Sequence, residues 1–375
     1  MFRIFYAEKD ATLYESNPSS NFGLDEILEI GKRYNTLGDT LLKSRSVIKF
    51  DMSEISESLA NYSKTVNDCK FVLQLFTSHA KNLPSEYSIY SKLLAENWIN
   101  GTGGSTNGTL DGVTWSSPTS GSLTNVWISS SQQQQIGSST LYVSGSGGGG
   151  SWMFQSASDG STAGLINSES FSYRTTDVNI DVTDSVKIWL SGSGGISIPN
   201  YGFLLQLSDT DELNNAVQGY IRFFSRETHT IYVPRLTMYF DNSAFTTGSL
   251  DPVNLESYVV YTDIKPTYKD TEVAKIRIYS RDKYPRKSPT NLFPIETVKY
   301  LPETTYYAVY DAATDEAIIP YDNIYNKVSC DATSNFIHID MNGFMPERTY
   351  RLEFKIVNGI TRQYVNDEIY FKVVR

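Results

Sequence analysis

Metal-dependent and nucleophilic catalysis both lean on histidine, and this chain of 375 residues carries three, His79, His229 and His338. None stands in an HxH or HExxH spacing or beside a cysteine. Neither a zinc site nor a Ser-His-Asp triad is therefore expected, and each reads as a hydrogen-bonded strand histidine. The acidic trio Asp209, Asp211 and Glu212 could hold calcium or serve glycoside hydrolysis, which needs two carboxylates facing a sugar. A solvated turn is the plainer reading, and no EF-hand spacing is present. Gly192-Ser-Gly-Gly195 follows a predicted helix, whereas a phosphate loop precedes one and carries Lys-Ser or Lys-Thr. No cofactor motif remains, no catalytic residue is assigned, and a non-enzymatic protein is expected.

The sharper signal is aromatic. Between Lys92 and Arg174 there is no Lys or Arg, and Gly, Ser, Thr, Asn and Gln dominate, with Gln132 to Gln135 and Gly147 to Gly150 as runs. Yet this tract holds Trp98, Trp115, Trp127 and Trp152, four of the five tryptophans. Disordered segments are poor in aromatics, so it reads as a long insertion between strands, at about 97–170, with flexible tips. Trp115, Trp127 and Trp152 are the candidate interaction residues. Three roles are open to them: inserting into a partner subunit, stacking on sugar rings, or pinning the insertion to its own domain. Ser146-Gly-Gly-Gly-Gly-Ser151 resembles a laboratory linker, but Leu141-Tyr-Val143 and Trp152-Met-Phe154 flank it as hairpin arms would.

These residues need elements to position them, and the composition points to β-structure. Tyr and Phe, at 26 and 18, suit half-buried pleated faces. Strands are predicted at 2–7, 27–31, 44–51, 71–76 and 87–90, spaced as in a sandwich or jelly roll. Val178 to Thr183 adds another, with Thr183 as the N-cap of a short helix over 184–190, and strands follow at 201–207, 220–224 and 235–240. The polar stretch 241–252 divides the chain into domains at 1–245 and 253–375. In the second, Glu272 to Tyr279 alternates, 306–310 and 316–319 form a hairpin, and 350–357 runs into Asn358-Gly359, a strong hairpin-turn signal. A last strand covers 368–374. The predicted fold is all-β: an N-terminal jelly roll or β-sandwich with the insertion, then an immunoglobulin-like β-sandwich.

Four stretches carry a resemblance. They are Asp10 with Asn21-Phe-Gly23; Arg45-Ser-Val-Ile-Lys-Phe-Asp-Met-Ser53; Asp181-Val-Thr183 with Trp189; and Asn200-Tyr-Gly-Phe-Leu-Leu205, continued by Phe224-Ser-Arg-Glu227 and Pro234-Arg-Leu236. In this order the first 240 residues resemble the jelly-roll modules called DNRLRE domains, which are similar to carbohydrate-binding modules of bacterial surface proteins. Over its whole length, including Arg281-Asp-Lys-Tyr-Pro285, Ile319-Pro-Tyr-Asp322 and Met345-Pro-Glu-Arg348, the chain also looks like virion structural proteins of tailed bacteriophages. That second resemblance implies a building block of the neck, collar, tail or baseplate. It would assemble as a symmetric homo-oligomer with other virion proteins. A carbohydrate-binding adhesin recognising a host surface glycan is the alternative.

Charge and cysteine content set the remaining expectations. A net charge of −10 argues against nucleic acid, whose phosphates need clustered Lys and Arg. The densest basic group, Arg281, Lys283, Arg286 and Lys287, is interrupted by Asp282 and Pro285 and reads as a solvated loop. No signal peptide and no apolar stretch near 18 residues is evident, so folding in the host cytoplasm and a place in the virion, with no membrane partner, are expected. Cys69 and Cys330 lie 261 positions apart in β-like runs, so no disulfide framework is expected. The melting temperature should accordingly be the same with and without dithiothreitol; a clear drop on reduction would reveal a bridge.

Overall fold

A computed structural model describes the chain except for residues 36, 105–106, 121–124, 129–132, 137–138, 146–147, 156–164, 173–176, 193–196 and 367–368. The protein is nearly all β, as its alternating apolar runs require. It divides into two compact units: Phe5–Met238, and Tyr239–Arg375 together with Met1–Ile4. The first four residues thus group with the C-terminal unit, and the chain passes between units inside strands rather than in a loop.

The first stretch of chain runs β1 (Phe2–Tyr6), β2 (Lys9–Tyr14), β3 (Ile27–Tyr34), β4 (Leu41–Lys49), α1 (Met52–Asn61), β5 (Cys69–Leu75), β6 (Thr77–Lys81) and β7 (Glu86–Leu93). The insertion supplies β8 (Gln133–Ile136), β9 (Ser139–Ser144) and β10 (Trp152–Gln155). Then come β11 (Ile166–Ser172), β12 (Val178–Asp181), α2 (Thr183–Leu190), β13 (Phe203–Leu207), α3 (Asp209–Leu213), β14 (Gly219–Phe224) and β15 (Arg235–Phe240). A large sheet has the order β11-β7-β13-β4-β3-β14-β6, with β2 also on β4. A smaller one has the order β1-β15-β5-β12.

Two local expectations need correcting. Helix α1 was not predicted, although its signals are present: Asp51 caps it, accepting from Ser53 N at 2.8 Å, and Ile55 and Leu59 bury one face four residues apart. Thr183 is not a cap. It is the first residue of α2, and its hydroxyl accepts instead from Phe71 N at 2.8 Å, tying the helix to β5. Of the expected stop at Gly192-Ser-Gly-Gly195, only Gly192 lies within the described residues, and it takes the positive φ of 66° that glycine tolerates at a helix end.

The C-terminal unit contains β16 (Tyr258–Asp263), β17 (Thr267–Lys269), β18 (Val273–Asp282), β19 (Thr305–Asp311), β20 (Ala317–Ile319), β21 (Ser329–Cys330), β22 (Asn335–Asp340), β23 (Thr349–Asn358), β24 (Thr361–Val365) and β25 (Tyr370–Val374). They form two sheets, β16-β18-β22-β21 and β17-β25-β23-β19-β20, with β24 paired to β23. Alternation in β18 buries Ala274, Ile276 and Ile278. The hairpins β19–β20 and β23–β24 form where predicted, the latter turning through Gly359 at φ 60°. An aromatic cluster fills the core, with Phe344 edge-on to Phe2, Tyr350 and Phe371 at 4.7–5.8 Å. Cys69 and Cys330 are buried free thiols, one in each unit.

One buried acid makes stability depend on pH. Asp10 is 1% exposed. Its Oδ2 accepts from Arg226 N at 2.7 Å, while Oδ1 has no hydrogen-bond partner among the described residues. Burial pushes its carboxyl up to about 7. Since the folded-state value lies above the unfolded one, Asp10 contributes stability below the ordinary carboxylate range and loses it as pH rises toward 7. The melting temperature of Asp10→Asn should therefore fall less than that of the wild type between about pH 5 and about pH 8. Parallel curves in thermal melts at the two pH values would show that Asp10 does not titrate in this range.

Candidate functional site

The insertion is anchored by a buried charge. Arg45, on β4, binds the Glu212 carboxylate of α3 through Nε at 3.0 Å and Nη2 at 2.6 Å, and its Nη1 donates to Gly149 O at 2.8 Å. The guanidinium lies over the rings of Trp115 (5.4 Å) and Trp152 (5.6 Å). Next to it, Lys92 Nζ lies 4.0 Å over Trp152 and binds Asp209 at 2.7 Å. Lys32 donates to the carbonyls of Asp211, Glu212 and Asn214 at the end of α3. Asp209, Asp211 and Glu212 belong to a short helix rather than a turn: Ser208 caps it, accepting from Asp211 N, Glu212 is buried against Arg45, the exposed Asp209 pairs with Lys92, and the Asp211 carboxylate accepts from Ser208 Oγ. Among the described residues no group of His, Cys, Asp or Glu could hold a metal.

Around this pair the insertion covers an apolar face. Ala11, Leu13, Val47 and Leu204 form one cluster with Leu94, Trp98, Val113 and Trp127, and Trp115 and Trp152 pack half-buried against it. The Trp127 indole donates to Thr114 O at 3.0 Å, and that of Trp98 to Tyr201 O at 2.9 Å. Trp127 has 0% exposure. A ring with no accessible surface offers no face to a partner or a sugar, so of the three roles open to Trp127 the structure fits the third: it pins the insertion to its own unit. Ser146 and Gly147 lie outside the described residues. Gly148 to Gly150 lie against Trp115 and Leu204, where a Cβ on Gly149 would come within 2.7 Å of the Trp115 ring. The predicted hairpin arms do pair, with Trp152 opposite Ser144 and Phe154 opposite Tyr142.

The insertion also fixes the chain before β3. Asn21 donates to Asn100 O and Val113 O, both at 2.7 Å, and its Oδ1 accepts from Gly23 N and Gly103 N. All four bonds of a side-chain amide are used, and Gly23 is required because a Cβ would collide with Asn100 O. This holds Phe22 edge-on to Tyr14, with ring centroids 4.9 Å apart.

Phe22 and Tyr14 line a cleft of about 340 Å³ on the β2, β3, β4 and β14 strands, which sequence reading missed. At its base Glu29 is 1% exposed. It accepts from Arg222 Nε at 2.9 Å and Ser44 Oγ at 3.2 Å, and it pairs with Arg33, whose guanidinium stacks 3.8 Å over Tyr220. Register explains the convergence, since Glu29 lies opposite Arg222 and Gly31 opposite Ser44. Burial raises the Asp25 carboxyl and pushes the Tyr14 phenol up to about 12. Asn17, Tyr34, Asn35, Leu42 and Lys43 complete the walls, and Tyr34 is half exposed. The cleft offers ring faces for an apolar surface and amide, ammonium and guanidinium donors for oxygen ligands. The signal available in sequence was Tyr14, Phe22, Glu29, Arg33 and Tyr34 close together in the chain, but nothing local brought Arg222 to them.

No protein-family model and no curated protein matches the chain. Two solved structures align over nearly its whole length. The adhesin domain of Epf from Streptococcus pyogenes shares 9% identity, with 97% of this chain and 91% of that one covered and a TM-score of 0.17. The tripod (BppUct-A-L) from the baseplate of bacteriophage Tuc2009 shares 8% identity, with 100% and 97% covered and a TM-score of 0.15. Scores this low carry no argument about fold or role.

If Trp127 belongs to the core of its own unit, Trp127→Ser should destabilise that unit by about 3–5 kcal/mol, as large-to-small core changes do. Denaturant unfolding of the isolated chain measures this, and an unchanged midpoint would return Trp127 to the list of contact residues.

Proposed function

We propose that the protein is a non-enzymatic, adhesive structural component of a bacteriophage virion, and that its first unit binds a carbohydrate in the cleft of the β2, β3, β4 and β14 strands. The cleft carries the reading. Its volume of about 340 Å³ lies at the small end of ligand sites and suits one or two sugar rings. A sugar presents an apolar C–H face and a dense edge of hydroxyls. Tyr14, Phe22 and Tyr34 answer the first, and Asn17, Asn35 and Lys43 the second. The particle setting is supported by the resemblance of the whole sequence to virion structural proteins, and the rigid sandwich suits a carrier for such a site.

The absence of turnover is part of the proposal. Glycoside hydrolysis needs two carboxylates free to exchange protons or attack the sugar. Glu29, one of the two in the cleft, is committed as a strut between two guanidinium groups and Ser44.

A glycan array probed with the purified chain should give binding to at least one carbohydrate, with the bound sugar recovered intact. Tyr34→Ala and Lys43→Ala, both at accessible positions, should each weaken that binding by about tenfold, the effect of losing a contact worth ~1.4 kcal/mol. No binding on the array, or binding indifferent to both changes, would sink the reading. Cleavage of the sugar would make the protein an enzyme.

A further inference from the structure

In the C-terminal unit, residues 283–296 expose Tyr284 (77%), Leu292 (62%), Phe293 (71%) and Ile295 (60%). The loop is braced by its own bonds. Ser288 and Asn291 exchange backbone hydrogen bonds at 3.1 Å, and Asn291 Nδ2 donates to Thr297 Oγ1 at 2.8 Å. Lys299 closes the base, through Nζ to Asp282 at 2.7 Å and N to Ser280 O at 2.8 Å. Four large apolar side chains held outward by a braced loop are a costly arrangement in water unless something covers them.

Charge points to the cover. Residues 281–299 contain Arg281, Lys283, Arg286, Lys287 and Lys299 against Asp282 and Glu296. That is +3 in a chain whose total is −10, which leaves −13 on the remainder. Residues 97–128 carry one charged side chain, the exposed carboxylate of Asp111, and Glu96 directly precedes them. On this same stretch Ile99 (53%), Leu110 (68%) and Val126 (48%) stand exposed. Backbone bonds gather their segments around residues 116–120: Ile99 N donates to Pro118 O, Asp111 bridges Ser120, and Trp127 N donates to Ser116 O.

We propose that the basic apolar loop 283–296 of one copy docks on the apolar surface of Ile99, Leu110 and Val126, beside the Asp111 carboxylate, in a second copy of this chain. Each surface supplies the charge sign that the other lacks, and both bring apolar area to the contact. The two patches differ, so the contact is head-to-tail and propagates into a ring or a filament. This assembly does not depend on the cleft or its ligand.

The test uses the full chain in sedimentation velocity. The wild type should associate as concentration rises and dissociate as salt screens the charges. The loop variant Leu292→Ser/Phe293→Ser/Ile295→Ser and the surface variant Leu110→Arg/Val126→Arg should each stay monomeric, with wild-type circular dichroism. Mixed together they should form a species of twice the monomer mass, because each retains the half that the other has lost. The proposal is overturned by a wild type that stays monomeric throughout, by association that survives in either variant, or by a mixture that yields no dimer. Wild type that stays monomeric but pellets with phosphatidylserine vesicles, lost in the loop variant, would assign the loop to a lipid surface instead.

Discussion

The first unit is organised around the buried pair of Arg45 and Glu212, whose side chains are 6% and 5% exposed. Two ions taken from water at this depth cost several kcal/mol each, and only good geometry with further hydrogen bonds offsets that. Here the guanidinium meets both carboxylate oxygens through Nε and Nη2, donates to Gly149 O through Nη1 and lies over two indole rings. Three parts of the chain far apart in sequence, β4, the glycine run of the insertion and α3, are thereby held to one geometry. Lys92 with Asp209, and Lys32 with the final carbonyls of α3, extend the same solution to the neighbouring charges.

This constraint gives the insertion its meaning. A segment so rich in Gly, Ser and Gln gains little by ordering itself, since each residue fixed costs roughly 1–2 kcal/mol of backbone entropy. What offsets the cost is the apolar face of β2, β4 and β13, on which Trp98, Val113 and Trp127 lie. The insertion is therefore a lid over its own sheet in its described parts. Through Asn21 it also sets the loop that brings Phe22 to the cleft, so the packing of the insertion shapes the cleft wall.

The two units handle polarity differently. In the first, the buried charges of Arg45, Lys92 and Glu29 are paired, and the outward-facing cleft is left with oxygen-binding groups. In the C-terminal unit, Asp331 draws in Arg277 and Lys275, and these cations together with backbone bonds from Thr333 and Ser334 hold its carboxyl well below the usual range. Four large apolar side chains there share one braced loop, apart from single exposed positions such as Val273, Ile324 and Ile360. Lone exposed apolar residues need no explanation, whereas a cluster beside cations does.

Much of the fold was legible in the sequence because strand periodicity is local. The alternation of β18, the Asn358-Gly359 turn, the β19–β20 hairpin and the pairing of the arms around the glycine run follow from residues within a few positions of one another. Helix α1 has local signals too, in the Asp51 cap and the Ile55–Leu59 spacing. Long-range pairing was not legible. Arg45 and Glu212 stand 167 positions apart, and Arg222 reaches Glu29 across 193. The sequence by itself determined an all-β chain lacking the spacings of zinc, triad or phosphate chemistry. Only the tertiary structure decided that Trp127 faces inward and that a cleft forms around Glu29, because which strands become neighbours depends on the closure of a whole sheet, and no local pattern encodes that.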